Sequence, residues 1–197
     1  MTNMLRLSMI FLFVLSATSC GTSRVNNFYL LTANSKAEAT QSTKVAKNEI
    51  ILGIGPVTVP DYLQRSQIAY SMAGNQLVLS SENQWSEPLD KAVARVIAVN
   101  LSRLNPNIST LTFPWRTDSK PKLAVRLTIV ELNRQSQDQA ELVADWTLVD
   151  LKSKQTLHRA KFSQSTIVSE FSYSTLTEAY SDLLAVLSND INEVLVN

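Results

Sequence analysis

The chain is poor in residues that most often carry catalysis or covalent cross-links. It has one cysteine, Cys20, and one histidine, His158, among 197 residues. An intrachain disulfide is therefore excluded, and no Cys/His cluster can supply the ligands of a zinc site. Gly53 and Gly55 match the start of a dinucleotide fingerprint, but proline and extended chain follow instead of a helix, which favours a bulge or an edge. We expect no metal site, no dissociable cofactor and no enzymatic activity.

The remaining candidates for chemistry favour structural roles. Strand alternation places His158 on one face with Ala160 and Phe162, which indicates a partly buried, hydrogen-bonded ring. A hydrolase built on paired carboxylates is the least favoured alternative. Two such pairs are predicted to lie on strand and helix surfaces without a shared pocket: Asp145/Asp150 and Asp182/Asp190.

The chain also lacks an excess of charge and a membrane-spanning run. Its 18 Lys and Arg residues balance 17 Asp and Glu residues, which argues against binding nucleic acid. Basic residues cluster only at Lys120/Lys122 and over 152–161, which are predicted to be solvated turns and strand faces. The apolar run that begins at Met9 is far shorter than the roughly 20 residues of a transmembrane helix.

Residues 9–20 have the layout of a bacterial secretory signal. Arg6 precedes a short apolar run, and small residues follow it up to Cys20. The segment resembles a lipobox, with Leu15 one or two places further back than in the commonest form. We expect cleavage after Ser19, so that Cys20 becomes the N-terminus and carries lipid. A buried core helix is disfavoured because Gly-Thr-Ser-Arg and a polar stretch follow.

Lipidation would fix the location of the protein. Each buried methylene contributes about 0.8 kcal/mol, so a cysteine with several palmitate-type chains is a stable anchor. Gly21, rather than Asp, follows the cysteine, which indicates the periplasmic face of the outer membrane. We therefore divide the chain into a signal peptide (1–19), an anchor and tether (20–26) and one domain (27–197).

Apolar periodicity predicts an α+β fold. Helical spacing runs over 87–104, with Ser86 as N-cap, and over 176–194, behind a capping box from Thr175 to Glu178. A polar loop is predicted over 34–48, and Gly74-Asn75 is predicted to turn a hairpin. Strands are predicted over 27–32, 49–59, 66–72, 76–80, 123–130, 142–148 and 155–167. This order favours an antiparallel sheet with two main amphipathic helices packed on one face.

Two loops have the composition of contact surfaces. Tyr62, Leu63 and Arg65 follow a strand directly, and Tyr and Arg are enriched at interface hot spots. A tight corner explains them equally well, with Leu63 in the core and Arg65 paired with Asp61. Trp85 precedes the first helix, where a hydrophobic staple against the helix is favoured over a partner contact.

These loops carry a family resemblance. Three segments follow one another along the chain: a lipobox, the stretch from Val57 to Ile68 with its Pro-Asp-Tyr-Leu-Gln-Arg core, and Trp85-Ser-Glu-Pro-Leu89. This order resembles the ABC-type transport auxiliary lipoprotein family. Pro121–Val130 and Ala144-Asp-Trp146 extend the resemblance over nearly the whole mature chain. Ser66 stands where many members have proline.

The resemblance implies an outer-membrane-anchored lipoprotein of an MCE-type lipid transport system. Such a subunit would dock the periplasm-spanning MCE protein, whose inner-membrane permease completes the transporter, and would support envelope integrity. A ring of identical subunits would suit a tube that ends at a membrane. Tyr62, Leu63, Arg65 and Trp85 would then lie near subunit or partner contacts. The alternative is a structural or assembly lipoprotein of the outer membrane, such as a pilotin.

Overall fold

The computed structural model describes residues 25–34, 50–72, 76–116, 118, 120–136 and 138–196. Cys20, the signal segment and residues 35–48 of the predicted polar loop lie outside the described residues. The helices are α1 (Leu89–Leu104) and α2 (Tyr173–Val196). The strands are β1 (Asn27–Tyr29), β2 (Ile50–Thr58), β3 (Gln67–Met72), β4 (Gln76–Trp85), β5 (Ile108–Thr112), β6 (Leu123–Ser136), β7 (Gln139–Asp150) and β8 (Thr156–Ile167).

The strands form two mixed sheets. The small sheet has the order β1-β4-β3, and the large sheet has the order β5-β2-β6-β7-β8. The predicted α+β class with two helices is confirmed. The strands form two sheets instead of the one antiparallel sheet that was expected. Three strand pairs are parallel: β1–β4, β2–β5 and β2–β6. The parallel pairing of β2 and β5 arises because the chain between them passes through a hairpin and α1, a crossover long enough to return in the same direction.

The helices cover one face of the large sheet. On β6, Leu127 and Ile129 are buried while Arg126 and Thr128 are exposed, as strict alternation predicts. Helix α1 packs on β2 and β5, α2 packs on β7 and β8, and the two helices contact each other. Among the described residues, no helix covers the opposite face of the sheet, which carries exposed polar side chains and is called the helix-free face below. Within the described ranges, neither helix is long and apolar enough to cross a membrane.

Both helix starts differ from the expected caps. Pro88 is the N-cap residue of α1 and makes no side-chain cap bond, so the Ser86 prediction is wrong. The Ser86 amide instead donates to the Tyr29 carbonyl oxygen at 2.9 Å and holds β1 in place. Helix α2 begins at Tyr173, because the Ser172 hydroxyl accepts from the Thr175 amide and the Thr175 hydroxyl accepts from the Ser172 amide. The capping box thus lies three residues before the predicted one.

Candidate functional site

The segment after β2 forms a tight corner. A 3₁₀ turn spans Asp61–Leu63, and the Leu63 side chain is only 2% exposed. The side-chain amide of Gln64 (Nε2) donates to the Asp61 carboxylate at 3.0 Å, so Gln64 takes the place expected for Arg65. Arg65 is exposed. The corner interpretation therefore holds for Leu63, and Arg65 is left facing solvent.

Tyr62 projects from this corner onto the large sheet. It is half-buried and packs against the core. Burial raises the pKa of its phenol, and the nearby Glu131 carboxylate raises the pKa further. Tyr62 is thus partly accessible and shares the rim of the corner with Arg65.

The Trp-Ser-Glu-Pro-Leu segment joins the corner to both helices. The Trp85 amide donates to the Ser66 carbonyl oxygen at 2.7 Å, and the indole is 6% exposed with its ring centroid 6.5 Å from that of Tyr180 in α2. The Glu87 carboxylate accepts from Arg95 at 2.6 Å, and Arg95 also donates to the Leu31 carbonyl oxygen. Trp85 is therefore a buried core residue. The favoured interpretation predicted a staple against the first helix, whereas the ring contact in the structure is with Tyr180 of α2.

An aromatic cluster that the sequence did not reveal closes the space between the small sheet and α2. Tyr70 contacts Phe171 and Tyr173 with centroid distances of 5.4 and 6.3 Å, and Tyr29 lies 6.1 Å from Tyr173. The Arg134 guanidinium lies 3.8 Å from the centre of the Phe171 ring. Such cation–π contacts contribute about 0.5–2 kcal/mol. The cluster fixes β1, and with it the point at which the N-terminal segment leaves the domain.

The carboxylates and the histidine do not converge on a catalytic site. His158 is half-buried with its ring centroid 5.1 Å from that of Trp146, whose indole N–H donates to Asp190 at 3.0 Å. Asp182 and Asp190 are eight residues apart on α2, a rise of about 12 Å. No group of His, Cys, Asp and Glu that could hold a metal ion occurs within the described residues.

Asp150 has a structural role in the turn between β7 and β8. Its carboxylate accepts from the amides of Lys152 and Ser153, each at 2.8 Å. The bond from Ser153 is the main reason that the pKa of Asp150 lies below its usual value. Asp145 lies on the helix-free face of the sheet and is exposed. The two carboxylates, five residues apart on one strand, therefore point to opposite faces.

The helix-free face of the large sheet carries a polar cleft of about 430 Å³. Arg126, Arg159 and Lys161 line it together with Asp145. Register places Arg159 opposite Thr147 and Lys161 opposite Asp145 on the neighbouring strand. The three cations outnumber the single carboxylate, so the cleft is cationic although the chain as a whole is nearly neutral.

A second concavity, of about 440 Å³, lies where the loop after β5 folds over the sheet. We call it the aromatic groove. Its lining residues are Phe113, Pro114, Trp115, Lys120, Pro121, Lys122, Leu151 and Lys152. The Trp115 indole donates to the Leu111 carbonyl oxygen at 3.1 Å, and its ring packs edge-on against Phe113. A Cβ at Gly53 would lie 2.6 Å from the Trp115 ring and 2.7 Å from Pro121, so glycine is required there. The bulge expected at Gly55-Pro56 is confirmed by a register shift between Ile54 and Val57.

Comparisons with known proteins identify the family. The sequence model of the ABC-type transport auxiliary lipoprotein component matches residues 29–192. The intermembrane transport lipoprotein PqiC of Escherichia coli K12 is 28% identical over 134 residues, which cover 66% of each chain; the Shigella flexneri protein of that name matches equally. The alignment thus spans just under two thirds of these relatives.

Two crystal structures share the fold. One, of an uncharacterized protein, has a TM-score of 0.70 and 19% identity over 87% of this chain and 99% of the other. The second, of a Xanthomonas campestris protein, has a TM-score of 0.63 and 10% identity over 84% and 92%. With the family match over most of the chain, the fold and the sequence agree: the chain belongs to the ABC-type transport auxiliary lipoprotein family.

Proposed function

We propose that this chain is the outer-membrane-anchored lipoprotein of an MCE-type intermembrane lipid transport system. It would dock the periplasm-spanning MCE protein at the outer membrane, with the inner-membrane permease at the other end. The observation that carries the proposal is the family match over residues 29–192. The name of the Escherichia coli relative, an intermembrane transport lipoprotein, supports the transport role. The role needs no catalytic group, only an anchor and a rigid docking domain.

Cys20 supplies the anchor in this proposal, and lipid on Cys20 is the only group attached to the chain. Gly21 directs the lipoprotein to the outer membrane rather than retaining it in the inner one. Mass spectrometry of the purified protein tests the anchor directly. A mature chain that begins at Cys20 with acyl chains attached is the expected result, and an unmodified Cys20 would contradict it.

The corner after β2 is the proposed contact surface. Arg65 is exposed and Tyr62 is half-exposed, so both can reach a partner or a neighbouring subunit. Leu63 and Trp85, expected as contacts on sequence grounds, act indirectly because their side chains are buried beneath the corner. A cyclic assembly of several copies would present the corner repeatedly around one axis.

Co-purification from detergent-solubilised envelopes tests the docking role. The tagged full-length lipoprotein should retain the MCE protein and its permease. Tyr62→Ala with Arg65→Ala should lower the retained amount, whereas the matched exposed pair Leu157→Ala with Arg159→Ala, on β8, should not. Recovery of a secretin or a barrel-assembly protein in place of the MCE protein would instead favour an assembly lipoprotein of the pilotin type.

A further inference from the structure

The walls of the aromatic groove are held in place by contacts within the domain. Trp115 is fixed from three sides, by the Leu111 carbonyl oxygen, by the Phe113 ring and by the close approach of Gly53. The Leu151 amide donates to the Lys122 carbonyl oxygen at 2.9 Å and ties the turn after β7 to the start of β6. Because these contacts fix the walls, an apolar group can enter with little ordering cost. A volume of about 440 Å³ lies within the usual range of binding pockets.

The charges on the rim select what can enter. Lys120, Lys122 and Lys152 line the groove, and none of its eight lining residues is acidic. The same loop also contains Asp118, whose carboxylate pairs with Arg116 at 3.2 Å, and the Asp150 carboxylate accepts from the amides of Lys152 and Ser153. The two short basic stretches that looked like unrelated solvated turns are therefore brought to one edge. An occupant with apolar side chains beside carboxylates would complement both the walls and the rim.

The position of the groove indicates from which side such an occupant arrives. The small sheet and the aromatic cluster join β6 near Asn133, which accepts from the Ser71 amide and lies opposite Glu141 on β7. From Glu141 to Asp150, at the groove end, β7 runs nine residues, or about 30 Å. The five-residue span from Cys20 to Val25 reaches at most about 18 Å. With the Asn133 end of the domain toward the bilayer, the groove would lie about 30 Å further from the membrane.

We propose that the aromatic groove docks an extended, acidic and apolar segment of the MCE protein. Aromatic residues of the groove take the apolar side chains of that segment, and the three rim lysines pair with its carboxylates. This inference rests on the proposed function and adds a second, membrane-distal contact to the one at the corner. It assigns a binding role to the loop between β5 and β6.

Charge reversal on the rim tests the proposal. The full-length lipoprotein in neutral detergent is titrated with the purified periplasmic region of the MCE protein, and the variant Lys120→Glu, Lys122→Glu, Lys152→Glu is compared with it. All three lysines are exposed or at a rim, so the fold should survive, as circular dichroism would verify. We expect binding to weaken by about tenfold or more. The matched control Lys91→Glu, Arg159→Glu, Lys161→Glu changes the net charge equally and should stay within about twofold of wild type.

Equal weakening in both variants would overturn the proposal, because it would reflect the overall charge alone. An unchanged affinity in the rim variant would also overturn it while leaving the proposed function intact. If the wild-type lipoprotein itself does not bind the MCE protein, the proposed function fails first.

Photo-crosslinking identifies the occupant. Benzoylphenylalanine in place of Phe113 should capture, in intact cells, a peptide of the MCE protein with Asp or Glu beside apolar residues. Adducts only to lipid, or only to a second copy of this chain, would overturn the assignment of the groove to the MCE protein.

Discussion

At the residue scale, Gly53 is the position where the aromatic groove leaves least room for a side chain. In Gly53→Ala, the new methyl group would overlap Trp115 and Pro121. Overpacking of this kind costs about 1–3 kcal/mol, so we expect the free energy of unfolding in urea to fall by that amount. Thr58→Ala, an exposed change on the same strand, is the control and should fall within about 0.5 kcal/mol of wild type. Unaltered stability in Gly53→Ala would contradict the close packing of the loop on β2.

Tyr180 makes a pH-dependent contribution at the same scale. Its hydroxyl is buried without a hydrogen-bond partner, and burial raises its pKa, with the phenols of Tyr62 and Tyr70 adding to the rise and Arg134 opposing it. The folded chain therefore holds this proton more tightly than the unfolded chain. The resulting stability is fully present below pH 10 and is lost as the pH rises above it.

We expect Tyr180→Phe to be neutral or stabilising by about 1 kcal/mol at pH 7, because an unpaired hydroxyl leaves the core. Above pH 10 its advantage should grow by up to about 1.4 kcal/mol per pH unit, since phenylalanine does not ionise. Urea unfolding at pH 7, 9 and 10.5 measures both effects. Parallel loss of stability in the two proteins at alkaline pH would show that Tyr180 does not carry the effect.

The limits of sequence reasoning are clearest for the residues of the groove. Gly53, Trp115 and Leu151 come from three distant parts of the chain, and each has an ordinary local role in a strand, loop or turn. Their convergence depends on the parallel pairing of β2 with β5 and β6, which periodicity does not encode. By contrast, the burial of Leu63 and Trp85 was among the alternatives that local composition suggested. The burial of a single side chain could be predicted where residues adjacent in sequence account for it.

At the element scale, alternation identified β6 and β7 because each has one buried and one more exposed face. Strand β8 differs, because Phe162 is its single buried residue and most of its side chains are exposed. The ends of the helices were less predictable. At α1 the N-cap position belongs to Pro88 instead of Ser86. Several Ser and Thr residues lie around the start of α2, and which of them caps depends on where the chain leaves the preceding strand. At α2 the aromatic cluster holds Phe171 and Tyr173 against Tyr70, which sets the first turn earlier than the apolar pattern indicates.

The capping of α2 gives a direct test at this scale. Ser172→Ala removes the hydroxyl that accepts from the Thr175 amide at 3.0 Å, and loss of such a cap costs about 1 kcal/mol. Ser174→Ala, at an exposed site in the first turn, should cost less than about 0.5 kcal/mol. Chemical denaturation of the two variants separates the capping residue from its neighbour. The reverse order of stabilities would place the helix start nearer to Thr175.

At the scale of the whole molecule, the charge is distributed unevenly. Cationic side chains gather on the helix-free face and the groove rim. The exposed ridge of α2 bears Glu178, Asp182 and Glu193, and from Glu170 to the C-terminus the chain has no basic residue. A nearly neutral composition thus conceals two faces of opposite sign.

The proposed ring can be tested on an apolar face of the small sheet. Leu77 and Leu79, two residues apart on β4, share a face and are 40% and 41% exposed. Neighbouring exposed apolar side chains make this face a candidate subunit contact. We expect light scattering to give the lipid-free chain a mass several times that of one protomer. In the double variant Leu77→Asp, Leu79→Asp, the measured mass should fall to that of one protomer. Leu157→Asp, at an exposed leucine on β8 of the large sheet, should leave the assembly intact. A wild-type chain that stays monomeric at high concentration would exclude the ring. It would not contradict the lipid anchor or the groove proposal, which are tested by separate experiments.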